Sequence, residues 1–312
     1  MGKKNNVLLD YLNEPRRFAD IFNGYFGKGE QIFDPKYIKE ADSKIQSILV
    51  TKNGQRVENL EIMRDIKKIY KDDAILQILC LEDQDYIDYG AAIRTLKMDA
   101  AEYNNQLKKR QQKHREDNDL PEKEYECGIS INDRFHPVIT LWWYHGKYEY
   151  DGPYCLKDCL YNLDSPYNEF VSDYKLNILT TDENYTNGYF HTEFRNLYKT
   201  LACKNVKMSM KELFKKDNDF KDIDDDTLYA ISVAIEMPTL WDNKDRSDNK
   251  RGGHDMCLAM EQIEEDARLE EKKKTISKMI AKGKSVEEIV DLLEYPEELV
   301  REVEESLFAG VH

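Results

Sequence analysis

The stretch LEIMRDIKKIYKDDAILQILCLEDQ, residues 60–84, decides the fold. It reads as two strands about a turn. Residues 60–70 have strand character, Lys71, Asp72 and Asp73 are a turn signal, and residues 74–81 are a nearly continuous apolar run. A run of that length beside a turn predicts a strand buried on both faces. It ends abruptly at Glu82, Asp83, Gln84 and Asp85. With the turn centred between Asp72 and Asp73, Glu82 lies opposite Met63. Side chains then alternate with period two, so Asp65, Lys67, Glu82 and Gln84 share a face and Arg64 takes the other. A register slip of one residue would carry Asp65 across the sheet.

Downstream, residues 88–113 predict the clearest helix, with Ala92, Leu96, Ala100, Tyr103 and Leu107 along one face. Its end is basic (Lys108, Lys109, Arg110, Lys113, His114 and Arg115), which suits the negative end of a helix dipole. Residues 116–128 read as a charged linker and residues 136–144 as another strand, with Trp142 and Trp143 on alternate faces and buried. Strand, long helix, strand is a crossover, which requires parallel pairing. Residues 174–179 suggest one more strand, and the pattern from about 190 onward is helical. Upstream, residues 7–26 are helical with an interruption at Pro15, and the polar residues 43–60 have no assignment.

The last stretch stands apart. A charged helix spans about 257–281, Ser285 to Glu288 form a capping box, and Pro296 opens a further helix. The arrangement resembles a helix-turn-helix. Residues 285–305 nevertheless hold nine acidic side chains and one basic, Arg301. Such a surface repels phosphate, which makes oligomerisation or capping the expected role.

Composition sets the outer bounds. The 312 residues carry 40 % hydrophobic and 34 % charged side chains and a net charge of −15. That is a globular composition, and it excludes a uniformly basic nucleic-acid coat, a collagen or a disulfide scaffold. The whole deficit falls after residue 120: residues 1–120 hold 21 basic and 21 acidic side chains. Any contact with a polyanion is therefore expected in the first 120 residues. The longest apolar runs fall well short of the ~20 residues of a membrane helix, so no membrane association is expected. The start of the chain has no apolar segment of the secretory type, and the six cysteines include no CxxC pair. The expected location is cytoplasmic, with reduced thiols and no zinc.

The chemistry concentrates in residues 60–84. Two carboxylates on one sheet edge repel unless a proton or a cation lies between them. Hard oxygen ligands at a strand end suit Mg²⁺ or Mn²⁺. The plain alternative is a set of polar residues where a strand leaves the core. No glycine-rich phosphate loop, GxSxG element or histidine–nucleophile spacing is present.

These residues also resemble a family. Asp65 followed by an apolar strand ending in Leu81, Glu82, Asp83 and Gln84 resembles the D…(E/D)-x-K/Q core of PD-(D/E)XK nucleases. The flanking motifs are similar to one branch, the recombination-promoting nucleases or putative transposases. They include residues 18–25 (FADIFNGY), 98–103 (MDAAEY) with Gln106, 136–141 (HPVITL), Asp151-Gly-Pro153, 173–177 (DYKLN), 255–259 (DMCLA) and 283–290 (GKSVEEIV). They follow one another in order over nearly the whole chain.

The resemblance implies an α/β fold, a restriction-endonuclease-like αβββαβ core with a helical C-terminal extension. The nuclease-like domain would cover residues 1–180, a helical extension 181–256 and the acidic helices 257–312. It implies a metal-dependent DNA endonuclease acting in recombination or on mobile DNA, hydrolysing phosphodiester bonds with Mg²⁺-activated water. Asp65 and Glu82 would hold Mg²⁺, with Mn²⁺ as a substitute, and Gln84 would join them as the third catalytic residue in the place of the usual lysine. Tyr103 and Gln106 would lie near the DNA backbone, Lys67 could supply the missing positive charge, and Lys108, Lys109 and Arg110 would steer DNA. A homodimer would allow both strands to be cut. Two departures stand out: neutral Gln84 can only hydrogen-bond, and Arg64 replaces the usual proline. They leave a second reading, a catalytically weak or inactive nuclease-fold interaction protein.

Overall fold

The computed structural model describes residues 3–42, 44–49, 58–72, 75–161, 167–181, 188–203, 207–247 and 252–309. Helices α1 (Lys3–Leu12) and α2 (Pro15–Gly27) lead into strand β1 (Ile38–Glu40), then a hairpin of β2 (Lys44–Leu49) and β3 (Glu58–Met63). Strands β4 (Ile66–Asp72) and β5 (Ile75–Gln84) follow, then the long helix α3 (Ala91–Asp117), a single turn α4 (Glu122–Tyr125), β6 (Val138–Tyr144) and β7 (Asn177–Thr180). The rest is helical: α5 (Phe194–Cys203), α6 (Lys207–Lys216), α7 (Asp225–Ala234), α8 (Thr239–Asp242), α9 (Met256–Ala281), α10 (Val286–Leu293) and α11 (Glu297–Ala309). By contacts the chain forms two compact units, Met1–Met210 with Val233–Glu236, and Lys211–Ser232 with Met237–His312.

The first unit is α/β. Its main sheet has the order β1-β4-β5-β6-β7, antiparallel over the first three strands and parallel from β5 to β7. Strands β5 and β6 flank the crossover through α3 and pair in parallel, as strand–helix–strand spacing requires. They are buried on both faces, with Leu79, Leu81, Leu141 and Trp143 on one and Cys80, Trp142 and Tyr144 on the other. Helix α3 covers the second face, where Ala91, Ala92, Met98 and Ala101 pack with Trp142, Tyr144, Leu176 and Ile178. On the first face the ring of Trp143 lies 5.0 Å from Phe194 of α5. Lys68, directed to that same side, donates to the carbonyl of Asn13 (2.8 Å) and pairs with Glu40.

Three sequence expectations need correction. First, residues 60–70 are not one strand. The chain bends at Arg64–Asp65, and β3 pairs with β2 in a separate two-stranded sheet in which Met63 faces Lys44. Second, the β4–β5 register pairs Asp72 with Ile75 and Ile66 with Leu81. Continued by one residue, it sets Glu82 opposite Asp65, not Met63. The shift is an even number of residues, so Asp65, Lys67 and Glu82 keep the common face. Third, the buried stripe of α3 is rotated from the expected one. Ala100 and Tyr103 are exposed and Leu96 is half-buried, while Thr95, Asp99 and Glu102 are buried with Ala91, Ala92 and Met98. Polar groups on the sheet meet that stripe, so apolar periodicity alone misplaces it.

The second unit ends in three helices around a small core of Ile276, Val286, Ile289, Val300 and Val303. The capping box forms as read from sequence: Ser285 Oγ accepts from Glu288 N (3.2 Å) and the Glu288 carboxylate accepts from Ser285 N (3.0 Å). Replacing Ser285 with Ala is expected to destabilise this three-helix segment by about 1 kcal/mol in urea denaturation followed by circular dichroism.

Candidate active site

The bend at Asp65 and the end of β5 bring together a layer of charge between the sheet and α3. Asp65 is half-buried, and its Oδ2 accepts a hydrogen bond from Asp83 N at 2.9 Å. Glu82, directed to the α3 side by strand parity, is 2 % exposed. Arg64 is wholly buried. Its Nη1 donates to Thr140 Oγ1 (2.9 Å) and lies 3.6 Å from Glu82 Oε1, while Nη2 pairs with Asp99 of α3. Asp99 also accepts from the hydroxyls of Thr140 (2.6 Å) and Tyr174. Lys67 pairs with Glu102 at 2.9 Å. Arg64 thus sits on the Glu82 side of the sheet, contrary to strict alternation, because the chain leaves strand geometry at residues 64–65.

Electrostatics mark this layer out. Asp65, Glu82, Asp99 and Glu102 face Arg64 and Lys67, with Arg94 at the start of α3 acting on Asp65 and Glu82. The imbalance falls on Glu82: burial first, and then the charge of Asp65, push its carboxyl up to about 8, against the pull of Arg64 and Arg94. Glu82 Oε1 is buried and accepts no hydrogen bond from the described residues. Burial also raises the Asp65 carboxyl, with the Asp83 N–H opposing and the Asp83 charge adding to the rise. Beneath them, burial pushes the Cys80 thiol up to about 12. A buried carboxylate pair, with one oxygen held only by a 3.6 Å ion pair, is stabilised by a proton or by an added cation.

Of the pair, Asp65 is the member that reaches a cleft, while Glu82 lies buried behind it. A cleft of about 380 Å³ opens at Asp65, with Asn6, Asp10, Asn13, Glu40 and Lys67 among its walls. Gln84, two residues beyond Glu82 with the same parity, is buried, and its Oε1 accepts no hydrogen bond from the described residues. On the opposite face, Asp83 Oδ1 lies 2.8 Å from His145 Nε2, and His145 N donates to Gln84 O. This buried pair anchors the backbone whose N–H holds Asp65.

The structure therefore brings together Asp65, Glu82, Gln84 and Lys67. It does not bring the other expected site residues to them. Tyr103 Oη accepts from Val138 N (3.1 Å), and the Gln106 side chain bonds His136 N (2.8 Å) and O (3.0 Å). Both side chains fasten the start of β6, level with Ile78, about 13 Å along the strand from Glu82. Lys108, Lys109 and Arg110 lie about 14 to 17 Å farther along α3 than Asp99. Lys108 and Lys109 are exposed there, and Arg110 Nε lies 3.4 Å from Asp133.

Sequence reading missed Asp99, Glu102, Thr95 and Thr140 as partners of the site. The signal was present: Thr95, Asp99 and Glu102 recur at i, i+4 and i+7, the spacing of one helix face.

The donor set suits Mg²⁺ in kind and number, since that ion is usually held by one or two carboxylates and keeps several waters. Among the described residues no three His, Cys, Asp or Glu side chains gather as a ready-made metal site. No helix among them is long and apolar enough to cross a membrane. No family model, curated protein or solved structure matches the chain.

Two outcomes follow from the charge balance. Glu82 binds its proton more tightly folded than unfolded, so its burial costs increasing stability as pH rises from about 4.5 to about 8. The variant Glu82→Gln removes that cost. Its stability gain over the native chain in urea titrations is expected to be about 2–4 kcal/mol larger at pH 8 than at pH 5. Arg64→Met leaves Asp99 and Glu82 without their cation and is expected to lower stability by about 3–5 kcal/mol in the same assay at pH 7.

Proposed function

We propose that the chain is a metal-dependent DNA endonuclease of the PD-(D/E)XK, recombination-promoting type, with Asp65 and Glu82 as its Mg²⁺ ligands. The observation that carries this reading is the opposed carboxylate pair at the bend and strand end, with Glu82 raised by burial and by the Asp65 charge, and with Asp65 lining a cleft. The succession α2, β1, β4, β5, α3, β6 in the main sheet layer supports an αβββαβ core, with the β2–β3 hairpin as an insertion.

Asp65 and Glu82 would hold Mg²⁺, which would supply Lewis acidity to a phosphoryl oxygen and lower the pKa of water. The chain's own groups hold and orient. Asp65 is aimed by Asp83 N–H, and Glu82 is held beside Arg64. Gln84 contributes a hydrogen-bonding amide where a lysine would add charge. Cutting both strands calls for two such sites, so a homodimer belongs to the proposal. The exposed Lys108 and Lys109 offer the backbone an electrostatic contact away from the chemistry.

A second reading, a nuclease fold with weak or lost chemistry that acts as an interaction protein, is favoured by specific contacts. Lys67 is paired with Glu102, Arg64 already offsets Glu82, and Gln84 is neutral. Plasmid DNA incubated with the protein and Mg²⁺, Mn²⁺ or EDTA separates the two. Metal-dependent nicking that disappears in Asp65→Ala and Glu82→Ala, by a factor of a hundred or more, is expected. No nicking under any condition, joined by no heat of Mn²⁺ binding in calorimetry, would leave the interaction protein as the reading.

A further inference from the structure

Strands β5, β6 and β7 end in one row, Gln84 beside Tyr144 beside Thr180. The chain then turns over this edge and places four tyrosine rings in a small volume. Tyr144 Oη donates to Tyr148 O (2.7 Å), and Tyr150 Oη donates to Pro153 O (2.8 Å). The Tyr150 ring lies 5.2 Å from Tyr144 and 5.4 Å from Tyr154. Gly146 allows the close packing, because a Cβ there would stand 2.4 Å from Tyr144 Oη. The loop is tied back to the start of α3 by Tyr89 Oη donating to Asp151 (2.9 Å). Around these rings lies a pocket of about 390 Å³, with Lys147, Glu149, Thr181, Leu201 and Ala202 also in its wall.

The inner rings are fixed and the outer ones face solvent: Tyr144 is 3 % exposed, Tyr148 71 % and Tyr154 55 %. An exposed tyrosine held by its neighbours presents a π face at little ordering cost. The charge here is mixed. Lys147, 5.7 Å from the centre of the Tyr148 ring, shares the loop with Glu149 and Asp151. That balance does not suit a track of phosphates, which needs a surplus of cations. Flat aromatic faces, with the Thr181 hydroxyl and the Lys147 ammonium at the rim, suit the ring of a nucleobase. Tyr144 shares the sheet face of Glu82, one strand across and two residues on, about 8 Å away between Cα positions.

We propose that this pocket stacks an unpaired nucleobase, making single-stranded or locally unpaired DNA the substrate class. The proposal rests on the nuclease reading above. A base seated there is withdrawn from its duplex partner, with Tyr144 of the pocket wall one strand across and two residues on from Glu82. The aromatic wall gives affinity without reading sequence, since every base has a π face.

The test is fluorescence anisotropy of the full chain with fluorescein-labelled oligothymidylate in EDTA, where no cleavage intervenes. Tyr148→Ala and Tyr154→Ala are each expected to weaken binding about tenfold. Tyr148→Phe and Tyr154→Phe keep the ring and are expected to bind as the native chain does. An abasic oligonucleotide or an annealed duplex should bind more weakly than the single strand. Alanine variants that bind normally, or equal binding of abasic, duplex and single-stranded DNA, would overturn the pocket. Tyrosine-dependent binding without any cleavage would remove the nuclease reading and leave the base pocket standing. Cleavage of duplex DNA without tyrosine dependence would do the reverse.

Discussion

A single guanidinium holds the α/β unit's polar layer together. Arg64, with no solvent access, reaches Asp99 on α3, Thr140 on β6 and Glu82 on β5. Its planar fork is suited to several oxygen partners at once, which a lysine ammonium on a flexible stem could not match in the same geometry. Because α3 is fastened at Asp99, its neighbours in the same face, Thr95 and Glu102, meet Trp142 Nε1 and Lys67. The helix that completes the crossover is thus located by charge and hydrogen bonds as much as by its alanines.

That arrangement leaves Glu82 in an unusual state. It shares its cation with Asp99, faces Asp65 across the hairpin register, and has an oxygen with no hydrogen bond from the described residues. A buried carboxylate with so incomplete a shell costs stability, and proteins retain such costs chiefly where a ligand or a reaction uses them. The same bend that frees Arg64 from strand alternation aims Asp65 at Asp83 N–H. Geometry at residues 64–65 therefore sets both the charge balance and the shape of the site.

Much of this was legible in residues 60–84. The apolar run and its abrupt polar end locate β5, and parity places Asp65, Lys67 and Glu82 together even though the register differs by two residues. The crossover follows from the strands and long helix around it. Three features were hidden for physical reasons. The bend at Arg64 carries no glycine or proline to announce it. The hairpin of β2 and β3 lies in a polar stretch whose pairing needs a partner strand that periodicity does not supply. The buried face of α3 is polar, and a reading that follows apolar residues turns the helix the wrong way; Thr95, Asp99 and Glu102 become intelligible only once Thr140, Arg64 and Lys67 are seen opposite them. Tyr103 and Gln106, expected beside the backbone of a bound nucleic acid, instead brace the start of β6, a role that helix position alone does not reveal.

Cys80 sits beneath this layer, fully buried, on the same strand face as Glu82, with its thiol pushed far above the ordinary range. In the closed unit it has neither the thiolate nor the access that alkylation requires. Chemical modification at this position must await separation of α3 from the sheet. The sulfur is thus a clock built into the core, and its labelling rate reads how often the charged layer opens.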